Sequence, residues 1–137
     1  MKYLQDYLKE KQSALIEELG VIFAFSNKQF EEAMDPKVEK YVRVASGCYC
    51  PKPNIEQFLK RHDEVVTEAI KQDLTENGKT GVIHRELSNH EYSYSGDVFS
   101  TVQALVGYDI TEADVRAETG PYMKAHREWQ EKQEKVI

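Results

Sequence analysis

Leu4, Leu8, Leu15 and Leu19 recur at spacings that bring them to one side of a helix running from Lys2 to Leu19. Gly20 follows, a residue that tolerates the left-handed conformation in which helices often end. Val21-Ile22-Phe23-Ala24-Phe25 is β-branched and aromatic and predicts a short buried strand. Ser26 with Gln29 forms a capping box, in which each side chain serves a backbone amide at a helix start. A short helix to Met34 is expected there, broken by Asp35-Pro36. Strand-like alternation returns over 41–45, with Tyr41 opposed to Val42 and Val44, and resumes at 47–50. The strands 21–25 and 41–45 are expected to pair, with 47–50 as a third.

Asn54 and Gln57 repeat the capping-box pattern and open the most apolar helix of the chain. Its inner face reads Ile55, Phe58, Leu59, His62, Val65, Val66, Ala69, Ile70 and Leu74. Residues 75–81 read as a polar loop with two glycines. Beyond it Val82, Ile83, Leu87 and Tyr94 share a side, and Val98, Phe99, Val102, Leu105 and Val106 outline another amphipathic helix. Thr111 with Asp114 caps a further helix, expected to break at Gly120-Pro121, because proline is disruptive inside a helix and comfortable at its start. The last helix, from Tyr122, is heavily charged. The sum is an α+β fold, predominantly α-helical. It is a single compact domain over 1–137 with a two- or three-stranded sheet and about five to seven helices.

Composition narrows the class. Hydrophobic residues make up 40% and charged residues 31%, which suits a globular chain and not a disordered one. The formal charge of −6 argues against general nucleic-acid binding, which calls for a basic patch. No apolar run approaches the roughly 20 residues of a membrane span, and the N-terminus is charged where a signal peptide is apolar. Cys48 and Cys50 are too few and too close for a disulfide framework, so a reducing compartment, the cytoplasm, is expected.

The densest chemistry lies in His84-Arg85-Glu86-Leu87-Ser88-Asn89-His90-Glu91, followed by Tyr92-Ser93-Tyr94-Ser95-Gly96-Asp97. On a helix Glu86 and His90 are four apart and face the same way, a spacing that holds divalent metals in helical bundles. Asp97 would close such a site as a third ligand. The same set, with Glu91, would alternatively serve proton transfer or hydrolysis, with His90 as base. The plainer reading makes His84, Asn89 and Glu91 part of a ligand-binding or structural hydrogen-bonding cluster. The zinc signature HExxH is absent, since no second histidine follows His90-Glu91 at the required place. Cys48 and Cys50, combined with His84 and His90 or with His62, would supply a Cys₂His₂ set, but zinc sites favour CxxC over CxC, and buried free thiols are the simpler reading. Gly78-Lys79-Thr80 is no phosphate loop, because Asp73 stands where that motif needs glycine. No cofactor motif appears, and a divalent metal is the one cofactor the pattern accommodates.

In the C-terminal helix, 121–137, Tyr122, Met123, His126 and Trp129 form an irregular stripe. Tyr122 and Trp129 are the expected contacts with a partner or with a second copy, so monomer and homodimer both stand. Two motifs carry a resemblance: Phe23-Ala24-Phe25-Ser26 with Gln29-Phe30, and Glu86-Leu87 with Asn89-His90-Glu91 and Gly96-Asp97. They resemble a group of small proteins of bacteriophages and prophages of gut-type bacteria. The resemblance implies an accessory protein of a mobile element acting inside the cell, and it implies no activity, cofactor or catalytic residue. The expected function is binding of a protein or small-molecule partner, an acidic surface suiting a basic one. A metal- or ligand-dependent hydrolase at Glu86, His90, Glu91 and Asp97 is the alternative.

Overall fold

The computed structural model describes residues 1–136, and side chains as far as Glu134. The described residues form six α-helices and three strands: α1 (Leu4–Leu19), β1 (Ile22–Phe23), α2 (Asn27–Ala33), β2 (Tyr41–Ala45), β3 (Cys48–Pro51), α3 (Ile55–Asn89), α4 (Tyr92–Ser95), α5 (Phe99–Ala104) and α6 (Glu112–Val136). The fold is α+β and predominantly helical, as the periodicity predicts. None of these helices is long and apolar enough to cross a membrane. The chain divides into two compact units. One is Leu4–Ala69; the other joins Met1–Tyr3 to everything from Ile70 onward.

In the first unit Leu8, Leu15 and Leu19 are the buried face of α1. The capping box at α2 forms: Gln29 N–H donates to Ser26 Oγ at 3.2 Å, and Phe25 N–H donates to Gln29 Oε1 at 2.8 Å. The sheet is antiparallel in the order β1-β3-β2, so the two strands expected to pair with each other both pair with the third. The reason is local. A short turn at Ser46-Gly47 closes β2 onto β3 with little loss of chain entropy, and β3 is the strand with most to bury. Cys48 and Cys50, two apart, point to one face and join Leu15, Leu19, Val21 and Phe58 in the core. Tyr41 and Tyr49 meet Phe30 edge-on. Asn54 does not cap a helix. Its amide donates to Leu19 O at 2.8 Å, satisfying a carbonyl left over at the end of α1. Leu59, expected inside, is exposed, while His62 pairs with Gln12.

The second unit corrects two further expectations. The loop foreseen over 75–81 shrinks to one residue: α3 runs on to Asn89, and only Gly78, at φ 72° and ψ 162°, leaves helical geometry. That conformation is essentially open to glycine alone. Its consequence is large. Asp73 and Arg85 are twelve residues apart, a span of about 18 Å on a straight helix. The change of direction at Gly78 instead brings Arg85 Nη1 to 2.7 Å from Asp73 Oδ1. Asp73 is fully buried and accepts further bonds from Tyr108 Oη at 2.6 Å and Asn77 Nδ2 at 2.7 Å. Arg85 also donates to Lys2 O at 3.0 Å and lies against the Tyr3 ring, which assigns the first residues to this unit.

The second correction is at Gly120-Pro121, where α6 continues without a break. The proline forfeits one backbone bond, but side-chain contacts with α3 hold both halves. Glu118 meets His84 before it, and Tyr122 meets Ser88 after it. The start of α6 is as predicted, with Thr111 and Asp114 bonding each other's backbone amides reciprocally. Ile137, the last residue of the expected contact segment 121–137, lies outside the described residues.

Burial alone would raise the Asp73 pKa, yet its bonds from Arg85, Tyr108 and Asn77 outweigh that and hold it below the usual value. Replacing one member of a buried pair leaves the other uncompensated, so Arg85→Met should cost about 3–5 kcal/mol. Asp73→Leu with Arg85→Met together should cost less than Arg85→Met alone, as read from urea unfolding. The depressed carboxylate contributes fully above its ordinary pKa of about 4, and that contribution fades as pH falls through the lower folded value. The stability gap between wild type and Asp73→Asn, measured by urea midpoint, should therefore close below about pH 4.

Candidate functional site

The last turns of α3 present His84 and Ser88, four apart, on one face. α6 presents Glu118, Tyr122, His126 and Trp129 on one stripe, at spacings of four, four and three. The two helices meet there. His84 Nε2 is 2.8 Å from Glu118 Oε2, and the Ser88 and Tyr122 hydroxyls are 3.0 Å apart. The Tyr122 ring receives His84 edge-on at 5.7 Å between centroids and stacks on His126 at 6.1 Å. His126 in turn stacks on Trp129 at 5.9 Å. α4 adds Ser93 and Tyr94. All of these side chains except Glu118, together with Glu91 and Ala125, line a cleft of about 740 Å³, within the usual size range for a small-molecule site.

Four of the sequence-derived candidates therefore come together: His84, Glu91, Tyr122 and Trp129 all line this cleft. Their roles differ from those expected. Tyr122 is buried and forms the cleft's inner surface, so it is no free-standing contact. Trp129 keeps 57% of its surface exposed. Tyr94, expected to share a side with Val82, Ile83 and Leu87, is 93% exposed while those three are buried. His126, part of the stripe read in the sequence but given no role there, sits in the middle of the aromatic column. The signal that finds it is its position, four after Tyr122 and three before Trp129. Asn89 is exposed and does not line the cleft.

Glu86, His90 and Asp97 do not assemble. Among the described residues no three His, Cys, Asp or Glu side chains are placed to share one ion, Glu86, His90 and Asp97 included. The causes are specific. Asp97 follows the left-handed Gly96 and spends its carboxylate on Phe99 N–H at 2.9 Å, starting α5. Glu86 turns toward Arg85, with Oε2 3.6 Å from Nε. His90 Nε2 and Glu86 Oε2 are both buried with no hydrogen-bond partner among the described residues, so this pair is no hydrogen-bond hub either. Cys48 and Cys50 are buried free thiols, and burial pushes both pKa values up, with the neighbouring Cys48 adding to the effect at Cys50.

The chemistry available in the cleft is binding and orientation. Aromatic faces supply apolar contact. His84, with one nitrogen committed to Glu118, has its ring orientation fixed and its second nitrogen for an occupant. Glu91 supplies a carboxylate from a backbone in the left-handed region, φ 54°. Outside glycine, asparagine and aspartate such a conformation is uncommon and marks a constrained position.

The model of a family of unknown function (DUF7659) matches residues 4–128, a span that takes in all of the cleft except Trp129. The match bears out an uncharacterised family and carries no indication of phage or prophage origin. No curated protein and no solved structure matches the chain.

Two measurements check this description. His90→Leu should leave the unfolding free energy within about 0.5 kcal/mol of wild type or raise it, because it removes an unpaired buried polar atom. A hub would lose more. Cys48 and Cys50 should react with Ellman's reagent only on unfolding, since the thiolate is the reactive form and burial disfavours it; fast reaction in the folded state would contradict the burial.

Proposed function

For this chain, which belongs to the family of unknown function DUF7659, we propose a binding role exercised through the cleft between α3 and α6. One observation carries it: Tyr94 and Trp129 keep broad aromatic surface in water beside a concavity whose floor is Tyr122. Large aromatic side chains usually bury themselves, and those left out beside a hollow are typical anchors for a bound group. The histidine–glutamate pair below them gives the occupant directional polar contacts. The acidic balance of the chain, −6, suits a partner carrying positive charge. The resemblance of two short motifs to phage and prophage proteins supports an accessory rather than a metabolic role. The binding reading stands ahead of a hydrolase at Glu86, His90, Glu91 and Asp97, because Asp97 holds the Phe99 amide, Glu86 faces Arg85, and among the described residues no three such side chains are placed to share an ion.

An amide-resolved NMR screen with a fragment set of mixed charge tests this. Shifts should gather at His84, Ser88, Glu91, Tyr94, His126 and Trp129. Tyr94→Ala with Trp129→Ala, both exposed and so tolerated by the fold, should weaken hits at least about tenfold, the loss of roughly 1.4 kcal/mol. Hits that cluster instead in Leu4–Ala69, or that survive the double replacement unchanged, would sink the proposal.

A further inference from the structure

Resting on that binding role, we infer that the cleft is a site for an organic cation: an alkylammonium or guanidinium group, carried by a small molecule or by a lysine or arginine of a partner. The lining is one-sided in charge. None of its nine residues is lysine or arginine, although the chain has 18 of them. Glu91 contributes a carboxylate that forms no ion pair and no side-chain hydrogen bond with any described residue. A second carboxylate, Glu118, stands behind His84 at 2.8 Å.

Aromatic side chains complete the preference. The face of a tyrosine or tryptophan ring carries the negative end of its quadrupole, and tryptophan attracts a cation best. Tyr94 and Trp129 line the same hollow as Glu91 and keep much of their ring surface exposed. An anion there would meet a carboxylate and electron-rich rings with no lysine or arginine to offset them. A neutral apolar group would gain the ring contact but would desolvate Glu91 without compensation. A cation satisfies both.

The backbone of Glu91 supports the same reading. It ends the turn after α3 at φ 54°, where glycine or asparagine is the comfortable choice. A glutamate held there is disfavoured locally, and the residue lines the cleft. A residue with only a structural duty at this turn would be better replaced by glycine, and that gives a test with two independent readouts.

Trp129 is the only tryptophan, so its fluorescence reports on the cleft directly. The titrants are choline against its neutral isostere 3,3-dimethyl-1-butanol, and the peptide Gly-Gly-Arg-Gly-Gly against the same peptide with citrulline. The cation of at least one pair should bind at least about tenfold more tightly than its neutral partner. Which pair responds distinguishes a free ligand from a partner's side chain. Glu91→Gln and Tyr94→Leu should each weaken the cation several-fold at unchanged melting temperature. Glu91→Gly should weaken it likewise while raising the melting temperature. Equal binding of the neutral partners, or cation binding indifferent to Glu91 and Tyr94, overturns the cationic preference and leaves the binding role intact. Silence from all four titrants, with fragments still marking the cleft, overturns the same preference. Silence in both experiments overturns the binding role as well.

Discussion

Asp73 and Arg85 belong to one helix in sequence and face each other only because Gly78 turns that helix aside. The pair is dry, 2.7 Å long, and surrounded by the hydroxyl of Tyr108, the amide of Asn77 and the carbonyl of Lys2. Taking two charges out of water costs several kcal/mol each, so such a pair adds little net stability over an apolar substitute. What it fixes is geometry. Few other arrangements satisfy both charges at once, so the angle of α3 at Gly78 is tied to the position of the 3-10 turn at Val106–Tyr108 and to the first residues of the chain. The last turns of α3, which carry His84 and Ser88, inherit that placement.

The cleft is therefore built on rigid elements. One wall is the end of α3; the other is a helix that runs straight through Gly120-Pro121. Its polar contacts, His84 with Glu118 and Ser88 with Tyr122, hold the wall together. Its aromatic and acidic surface remains available to an occupant. The separation is physical: groups that bond one another fix the shape, while Tyr94, Trp129 and Glu91 keep their surface or charge in reserve.

Much of the scaffold was legible in the residues. The leucine spacing of α1, the capping boxes at Ser26–Gln29 and Thr111–Asp114, and the common face of Cys48 and Cys50 are all local consequences of helix and strand periodicity. The site was legible in part. The stretch from His84 to Asp97 does contain cleft residues, but the pair that stood out, Glu86 and His90, turns away from the cleft. Asp73, visible along the chain only as a residue spoiling a phosphate-loop motif, is the most consequential carboxylate of the fold.

Local patterns of apolar residues, caps and turns thus determined the α+β class, most helix starts and strands, and the shared face of the two cysteines, because each depends on neighbours within about one or two turns of chain. Tertiary structure alone decided which charges are paired, which strand is central and which rings face water. His84 meets Glu118 across 34 residues, and Tyr108 meets Asp73 across 35. Asp73 reaches Arg85 through the direction the backbone takes at Gly78, and no periodicity in the chain encodes contacts of such separation.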